Sequence, residues 1–183
     1  MEPKRLIRLG SPEDAEALAR VEAACFPPAE AAPLSRFRER LAHYAGHFWL
    51  MEEEGRIISF VDGMVTDRPD LTDEMYENAA LHDERGAWQM IFGVNTLPEF
   101  RRQGCAGALM KRAVQDARAQ GRRGLVLTCK EKLIPWYAGF GFRSEGTSSS
   151  VHGGAVWVQM RLVFPDGIPE PSDKIKQKDF FAS

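Results

Sequence analysis

The chain has 183 residues, 44% of them hydrophobic and 27% charged, with a formal net charge of −2. This is the size and composition of one ordinary globular domain, and it excludes wholesale disorder, a collagen-like repeat and a membrane bundle, since no apolar run approaches the roughly 18 residues that span a bilayer. The near balance of charge hides an asymmetry: residues 1–100 carry 10 Lys/Arg against 19 Asp/Glu, whereas residues 101–183 carry 14 against 7. Cys25, Cys105 and Cys129 are odd in number and lack metal-ligand spacing, so neither a disulfide framework nor a metal site is expected. Met1-Glu2-Pro3-Lys4-Arg5 leads into no apolar segment, which predicts a cytoplasmic protein with no membrane attachment.

Ser11-Pro12-Glu13-Asp14 offers an N-cap, a proline for the first turn and early acids, and so predicts a helix over 15–24. Pro27, Pro28 and Pro33 stop it and predict a stiff loop, followed by a second amphipathic helix over 35–44. Two strands over 48–53 and 57–65, joined at Glu54-Gly55, predict a hairpin. The polar segment 67–86 reads as a long, partly helical connection. Residues 88–97 form an apolar run without alternation, as expected of a central strand covered on both faces. From Gly104 onward, Ala106, Leu109, Met110, Ala113, Val114 and Ala117 fall on one helical stripe about four turns long. A short strand over 124–129, a short helix over 131–138 stopped by Gly139, and an extended segment from Phe140 come next. The last strand, over 155–164, places Val156, Val158, Met160, Leu162 and Phe164 on one face. A single domain over 1–164 with a polar, loosely held tail over 165–183 is the expected organisation.

The chemistry concentrates in Pro98-Glu99-Phe100-Arg101-Arg102-Gln103-Gly104-Cys105-Ala106-Gly107, between the buried run and the most regular helix. A helix N-terminus leaves main-chain N–H groups unpaired and concentrates positive dipole, and glycines let an anion approach the backbone. Residues 101–123 hold seven basic side chains against Asp116 alone, which suits a polyanion. Without interleaved aromatics a nucleic acid is not expected. A phosphorylated cofactor fits better. The segment lacks the GKS/GKT ending of a P-loop and the three-glycine pattern of dinucleotide binders.

Arg101-Arg102-Gln103-Gly104-Cys105-Ala106 matches Gln/Arg-x-x-Gly-x-Gly/Ala, the signature of the GNAT superfamily of acetyl-CoA-dependent N-acetyltransferases. The order strand, signature, amphipathic helix, strand and short helix with an aromatic ending, Leu133-Ile134-Pro135-Trp136-Tyr137-Ala138-Gly139-Phe140-Gly141-Phe142, resembles that family's second half. Leu127-Thr128-Cys129-Lys130-Glu131-Lys132 before it is especially similar to the arylalkylamine (serotonin) N-acetyltransferase branch. The resemblance implies an α/β fold with a mixed central sheet flanked by helices. It also implies acetyl-CoA as acetyl donor with no metal. The strand ending Val94-Asn95-Thr96 should splay from its neighbour, so that the main-chain groups of Val94 and Thr96 face the pantetheine. Residues 102–107 (Arg102, Gln103, Gly104, Cys105, Ala106 and Gly107), with Arg101 at the lip, should cradle the pyrophosphate. Tyr137 matches the family tyrosine beside the thioester sulfur, a general acid for the leaving thiolate. A cradle made of main-chain N–H groups lets Cys105 occupy a loop position without being a nucleophile.

Arylalkylamine enzymes carry two histidines on the strand before the signature, and this chain has Met90 and Phe92 there. Glu22, Asp62 and His152 are candidate stand-ins for a base; Asp62 is the most suggestive, because a carboxylate in an apolar strand needs a partner, and a buried, hydrogen-bonded structural aspartate explains the same feature better. The expected activity is acetyl transfer to the primary amine of a small molecule by direct attack. The alternatives are acetylation of a protein or peptide and a non-catalytic acyl-CoA-binding module. A homodimer is compatible with this reading.

Overall fold

The computed structural model describes residues 1–165. Five residues, Arg5–Leu9, form an edge strand (β1) that the sequence reading does not contain. Its charged positions hide it from a hydrophobicity pattern. Arg5 and Arg8 reach across to Glu53 (3.1 Å) and Glu52 (2.7 Å) of the next strand, so the charges that blunt the edge also fix the register Arg5↔Glu53. Helices α1 (Ala15–Cys25) and α2 (Leu34–Tyr44) follow as expected, and Phe48–Glu53 (β2) pairs antiparallel with Arg56–Asp62 (β3).

The expected strand over 57–65 ends at Asp62, and Val65–Thr66 (β4) belongs to a different sheet. Asp73–Glu77 (α3) is the helical part of the connection. The apolar run 88–97 divides in the same way: Trp88–Ile91 (β5) pairs antiparallel with β4 and parallel with Gly124–Cys129 (β7), while Gly93–Thr96 (β6) pairs with β3. Burial persists through the crossing at Phe92, so hydrophobicity alone does not reveal the division. Between them lie Cys105–Ala119 (α4) and, after β7, Ile134–Ala138 (α5). Arg143–Thr147 (β8) and Val158–Val163 (β9) complete the second sheet. The last strand starts later than expected, and Val156 lies exposed outside it. Residues 166–183, all but the first residue of the expected tail, lie outside the described residues.

The mixed sheet is thus two halves, β1-β2-β3-β6 and β4-β5-β7-β9-β8, continuous through the β5–β6 chain. Leu109, Met110, Ala113 and Ala117 of α4 pack on one face with Trp49, Ile58, Leu125 and Met160. Leu18, Val21, Phe37 and Leu41 of α1 and α2 pack on the other with Phe60, Met64, Met90 and Val126. Trp49 Nε1 donates to Asp116 (2.8 Å), the lone acid of the basic stretch, and pins α4 to β2. Truncating a fully buried residue such as Leu109 to alanine costs about 2–5 kcal/mol. Among the described residues no helix is long and apolar enough to cross a membrane.

Candidate active site

Where the two halves part, they leave a V-shaped cleft. Leu97 N–H bonds the Ile58 carbonyl (2.9 Å), so by antiparallel alternation Val94 and Thr96 turn their main-chain groups away from β3 and into the opening. The Thr96 carbonyl there accepts from Cys25 Sγ and from Arg101 Nε, each at 3.2 Å. On the opposite lip β7 runs beyond its pairing with β5, and Thr128 and Cys129 pair only with β9. A cavity of about 450 Å³ fills the V.

Beyond Arg101, which lines the cavity, the chain enters the N-terminus of α4. Gly104 caps it at φ 81°, a left-handed conformation that favours glycine, and a Cβ there would meet nothing within 4 Å. No acceptor for the N–H groups of Cys105, Ala106 and Gly107 occurs among the described residues. Arg101, Arg102 and Gln103 are exposed beside them. Cys105 turns its thiol inward against Arg5 (3.5 Å) and offers only its backbone outward. The basic stretch as a whole is not one anion-binding face. Arg122 is buried on the carbonyls of Glu84 and Gly86, and Arg118 and Arg123 lie over Phe164 and Trp88.

Tyr137 of α5 lines the cavity, packed edge-on against Trp136 and Phe142. Its hydroxyl makes no hydrogen bond to the described residues. Burial pushes the phenol above its ordinary range, with Cys129 and Tyr76 adding to the effect, so it remains a proton carrier at neutral pH. Cys129, also in the wall, is pushed up to about 11 by burial and stays a thiol.

Of the expected bases, Asp62 does not line the cavity; it is 1% exposed and ion-paired with Arg40 (3.2 Å). That is the partner its position demanded. Met90 is buried in the core, whereas Phe92 lines the cavity with the Arg40 guanidinium 5.1 Å from its ring centroid. His152 stacks on Tyr76 (5.0 Å), and its Nε2–H donates to the Glu30 carbonyl (3.0 Å). Glu22 reaches the cavity floor from α1 beside Arg40 and Gly93, and Oε2 accepts the Ala32 N–H (3.2 Å). Burial first, and the neighbouring Asp62 second, push its carboxyl up to about 8 against the pull of Arg40.

Arg40 and Asn95 were not found from the sequence. The signal was an arginine inside the apolar stripe of α2, between Phe37 and Leu41 and Tyr44. The acids of the 67–86 segment are structural: Asp67 accepts the Ala87 N–H, Asp70 pairs with Arg161, Asp73 accepts the Val151 N–H and Glu74 pairs with Arg68. His47, His82 and Glu84 bring ligand-type atoms within 4.8 Å of one another. Hydrogen bonds occupy them. Val65 N–H donates to His82 Nδ1 (3.0 Å), leaving Nε2 to donate to Glu84 (2.8 Å), which Arg122 also holds.

Among curated proteins the chain is similar to serotonin N-acetyltransferase of Mesocricetus auratus, 29% identical over 110 residues, which are 60% of this chain and 52% of that protein. It thus spans about half the length of that relative. Among solved structures it superposes on the loading GNATL domain of CurA from Lyngbya majuscula, with TM-score 0.75, 18% identity, and coverage of 87% of this chain and 98% of that one. It also superposes on a GNAT family acetyltransferase from Brucella melitensis in complex with acetyl-CoA, with TM-score 0.60, 19% identity, and coverage of 92% and 94%. At these identities the structures carry the fold. The model of the Acetyltransferase (GNAT) family matches residues 15–142, most of the described chain, and the protein belongs to that family.

Proposed function

We propose that the protein transfers an acetyl group from acetyl-CoA to the primary amine of a small molecule. The observation that carries this reading is the cleft itself, which a buried phenol and carboxyl line and whose wall runs through Arg101 toward the unpaired amides of the α4 N-terminus. The residues present fit acetyl-CoA. Amides 105–107 with Arg101 and Arg102 suit its pyrophosphate, and the outward main-chain groups of Val94 with the N–H of Thr96 suit an extended pantetheine, added like a strand. When bound, acetyl-CoA supplies the thioester whose acetyl group moves. Tyr137 would hold its proton until the sulfur leaves and then donate it, a contribution of roughly 10²- to 10⁴-fold. Phe92, Tyr76, His152 and Trp157 would wall the acceptor and limit water.

A small acceptor is favoured over a polypeptide by what covers the cavity. Phe26, Pro27, Glu30 and Ala32 of the α1–α2 loop line it, and Lys130 at the end of β7 pairs with Glu30 across it (2.9 Å). A peptide would need that pair opened. The membership in the family and the likeness to serotonin N-acetyltransferase support the acetyl transfer; the cover supports the size of the acceptor. Incubating the protein with acetyl-CoA and a panel of primary amines, while following CoA release and N-acetyl product together, tests the reading. Amine-dependent formation of both in equal amounts is expected. CoA release that no amine accelerates would overturn it.

A further inference from the structure

Gly93 sits where β5 hands the chain to β6, against three polar side chains. A methyl group at this position would lie 2.8 Å from Asp62 Oδ1, 2.8 Å from Asn95 Nδ2 and 3.6 Å from Glu22 Oε1. The glycine therefore lets these three atoms converge around its Cα, where Glu22 and Gly93 line the cavity and Asp62 and Asn95 lie behind them. Asp62 Oδ1 and both polar atoms of the Asn95 side chain are buried and have no hydrogen-bond partner among the described residues. Buried polar groups are ordinarily paired, so unpaired ones packed directly behind a carboxyl that lines a cavity make that carboxyl's surroundings polar at the point where a ligand atom would meet it.

The charges around this space select the group that exchanges a proton. Asp62 Oδ2 holds Arg40 Nη1, and Arg40 Nη2 donates to the Tyr76 carbonyl (3.1 Å). Glu22 makes no direct bond to Arg40; Oε2 accepts the Ala32 N–H, and the Asn95 side chain lies near enough to favour the ionised form. Two carboxylates against one guanidinium exceed charge balance by one, and burial resists that excess. The unpaired member carries the proton. The other charged or titratable groups around Glu22 are Cys25 on its own helix and, in the cavity lining, Tyr76, Arg101, Cys129, Lys132, Tyr137 and His152, with Glu30, whose Oε1 pairs with Lys130 and whose Oε2 has no partner among the described residues.

We propose that Glu22, in its ionised form, is the proton acceptor for the amine, and that Asp62, Arg40 and Asn95 are positioning residues that hold its carboxyl beside Gly93; the assignment rests on the acetyltransferase reading. An ammonium group entering over Gly93 loses one proton to Glu22 Oε1: an N–H bond breaks, an O–H bond forms, and the nitrogen keeps the electron pair. As that pair forms the C–N bond the nitrogen loses its second proton, which replaces the one Tyr137 gives to the departing sulfur. Glu22 then releases its proton to solvent, so each turnover yields one amide, one thiol and one proton. The carboxyl's position near 8 matches this task, since a base works best with a pKa near the working pH.

The test is the pH dependence of kcat/KM for two accepted amines whose solution pKa values differ by about two units, in wild type and in Glu22→Gln. Glutamine keeps the shape and an acceptor for the Ala32 N–H. For wild type the rising limb should stand near pH 8 with both amines. In the variant the rate should fall roughly 10²- to 10⁴-fold and the limb should follow each amine, while the acetyl-CoA melting shift is kept. A wild-type limb that moves with the amine, or a variant with unchanged rate and limb, would overturn the assignment, and loss of the limb in His152→Asn instead would move the base to His152. A wild-type protein that acetylates no amine would overturn the acetyltransferase reading and this assignment with it. Should the variant fail to fold, the carboxyl carbon of Glu22 in isotope-labelled wild type still decides: titration near pH 8 supports the assignment, and titration in the ordinary carboxylate range contradicts it.

Discussion

At one end of the proposed site, beyond the cavity lining, the groups on offer are main-chain amides of residues 105–107, held outward by a left-handed glycine beside two exposed arginines. At the other they are side chains, Glu22, Arg40, Asp62 and Asn95, none more than 5% exposed. Backbone groups at a helix terminus have fixed partial charge and need no tuning, so they suit an anion that must bind and leave. Buried side chains have protonation states that neighbours can shift by several units, so they suit a proton that must move. The contrast predicts that damage at the first end removes binding with the chemistry intact, and damage at the second removes chemistry with binding intact.

The largest separation should come from Tyr137→Phe, which deletes only the hydroxyl. Turnover should fall roughly 10²- to 10⁴-fold under conditions where chemistry limits the rate, with an unchanged acetyl-CoA melting shift. An unaltered kcat would return Tyr137 to the role its contacts with Trp136 and Phe142 also allow, that of a core aromatic.

Gly93→Ala is expected to act next. Its methyl group needs Asp62 and Asn95 to give way, at a cost of about 1–3 kcal/mol, and it fills the approach to Glu22. A lower melting temperature and a lower kcat should appear together. A variant with normal stability and rate would mean that the space over Gly93 is not used.

Stability against pH sharpens the same comparison. Glu22 has a raised folded-state pKa, so the stability tied to its protonated form is complete below the ordinary carboxylate range and is lost as pH rises through about 8. Glu22→Gln cannot ionise and escapes that loss. It should melt above wild type in alkaline buffer, with the gap closing toward pH 5, although it is the slower enzyme. Such opposition of stability and activity is expected where a function holds a strained charge. A gap that does not vary with pH would contradict the raised value. The smallest effect is expected from Asp62→Asn, which removes a like charge from Glu22 and leaves Arg40 to face it. The limb of kcat/KM should move to lower pH but remain above the ordinary carboxylate range, since burial is the larger cause.

The two ends also differ in how far the sequence reveals them. The stripe from Ala106 to Ala117 and the glycines before it are local patterns, and α4 with its open N-terminus follows from them. The proton-handling end is assembled from α1, α2, β3 and β6, more than seventy positions apart in the chain, and only its anomalies are visible beforehand: Asp62 in an apolar strand and Arg40 in an apolar helical stripe. Each is unexplained alone and explained by the other. The division of 88–97 at Phe92 escaped for a related reason, because the run stays apolar across it, whereas the pairing partners, β7 and β3, and the burial, continuous in β5 and alternating in β6, differ. β1 escaped because its register rests on ion pairs with Glu52 and Glu53.

The most direct measurement is the melting temperature with and without acetyl-CoA for wild type, Glu22→Gln and Gly104→Glu. At about 100 times its dissociation constant a ligand adds about 2.7 kcal/mol, which for a domain of this size is a shift of roughly 5 to 10 °C. Wild type and Glu22→Gln should both shift by that amount, and Gly104→Glu, which sets a carboxylate beside amides 105–107, should not shift at all. An absent shift in wild type at millimolar acetyl-CoA, or an equal shift in Gly104→Glu, would contradict the account.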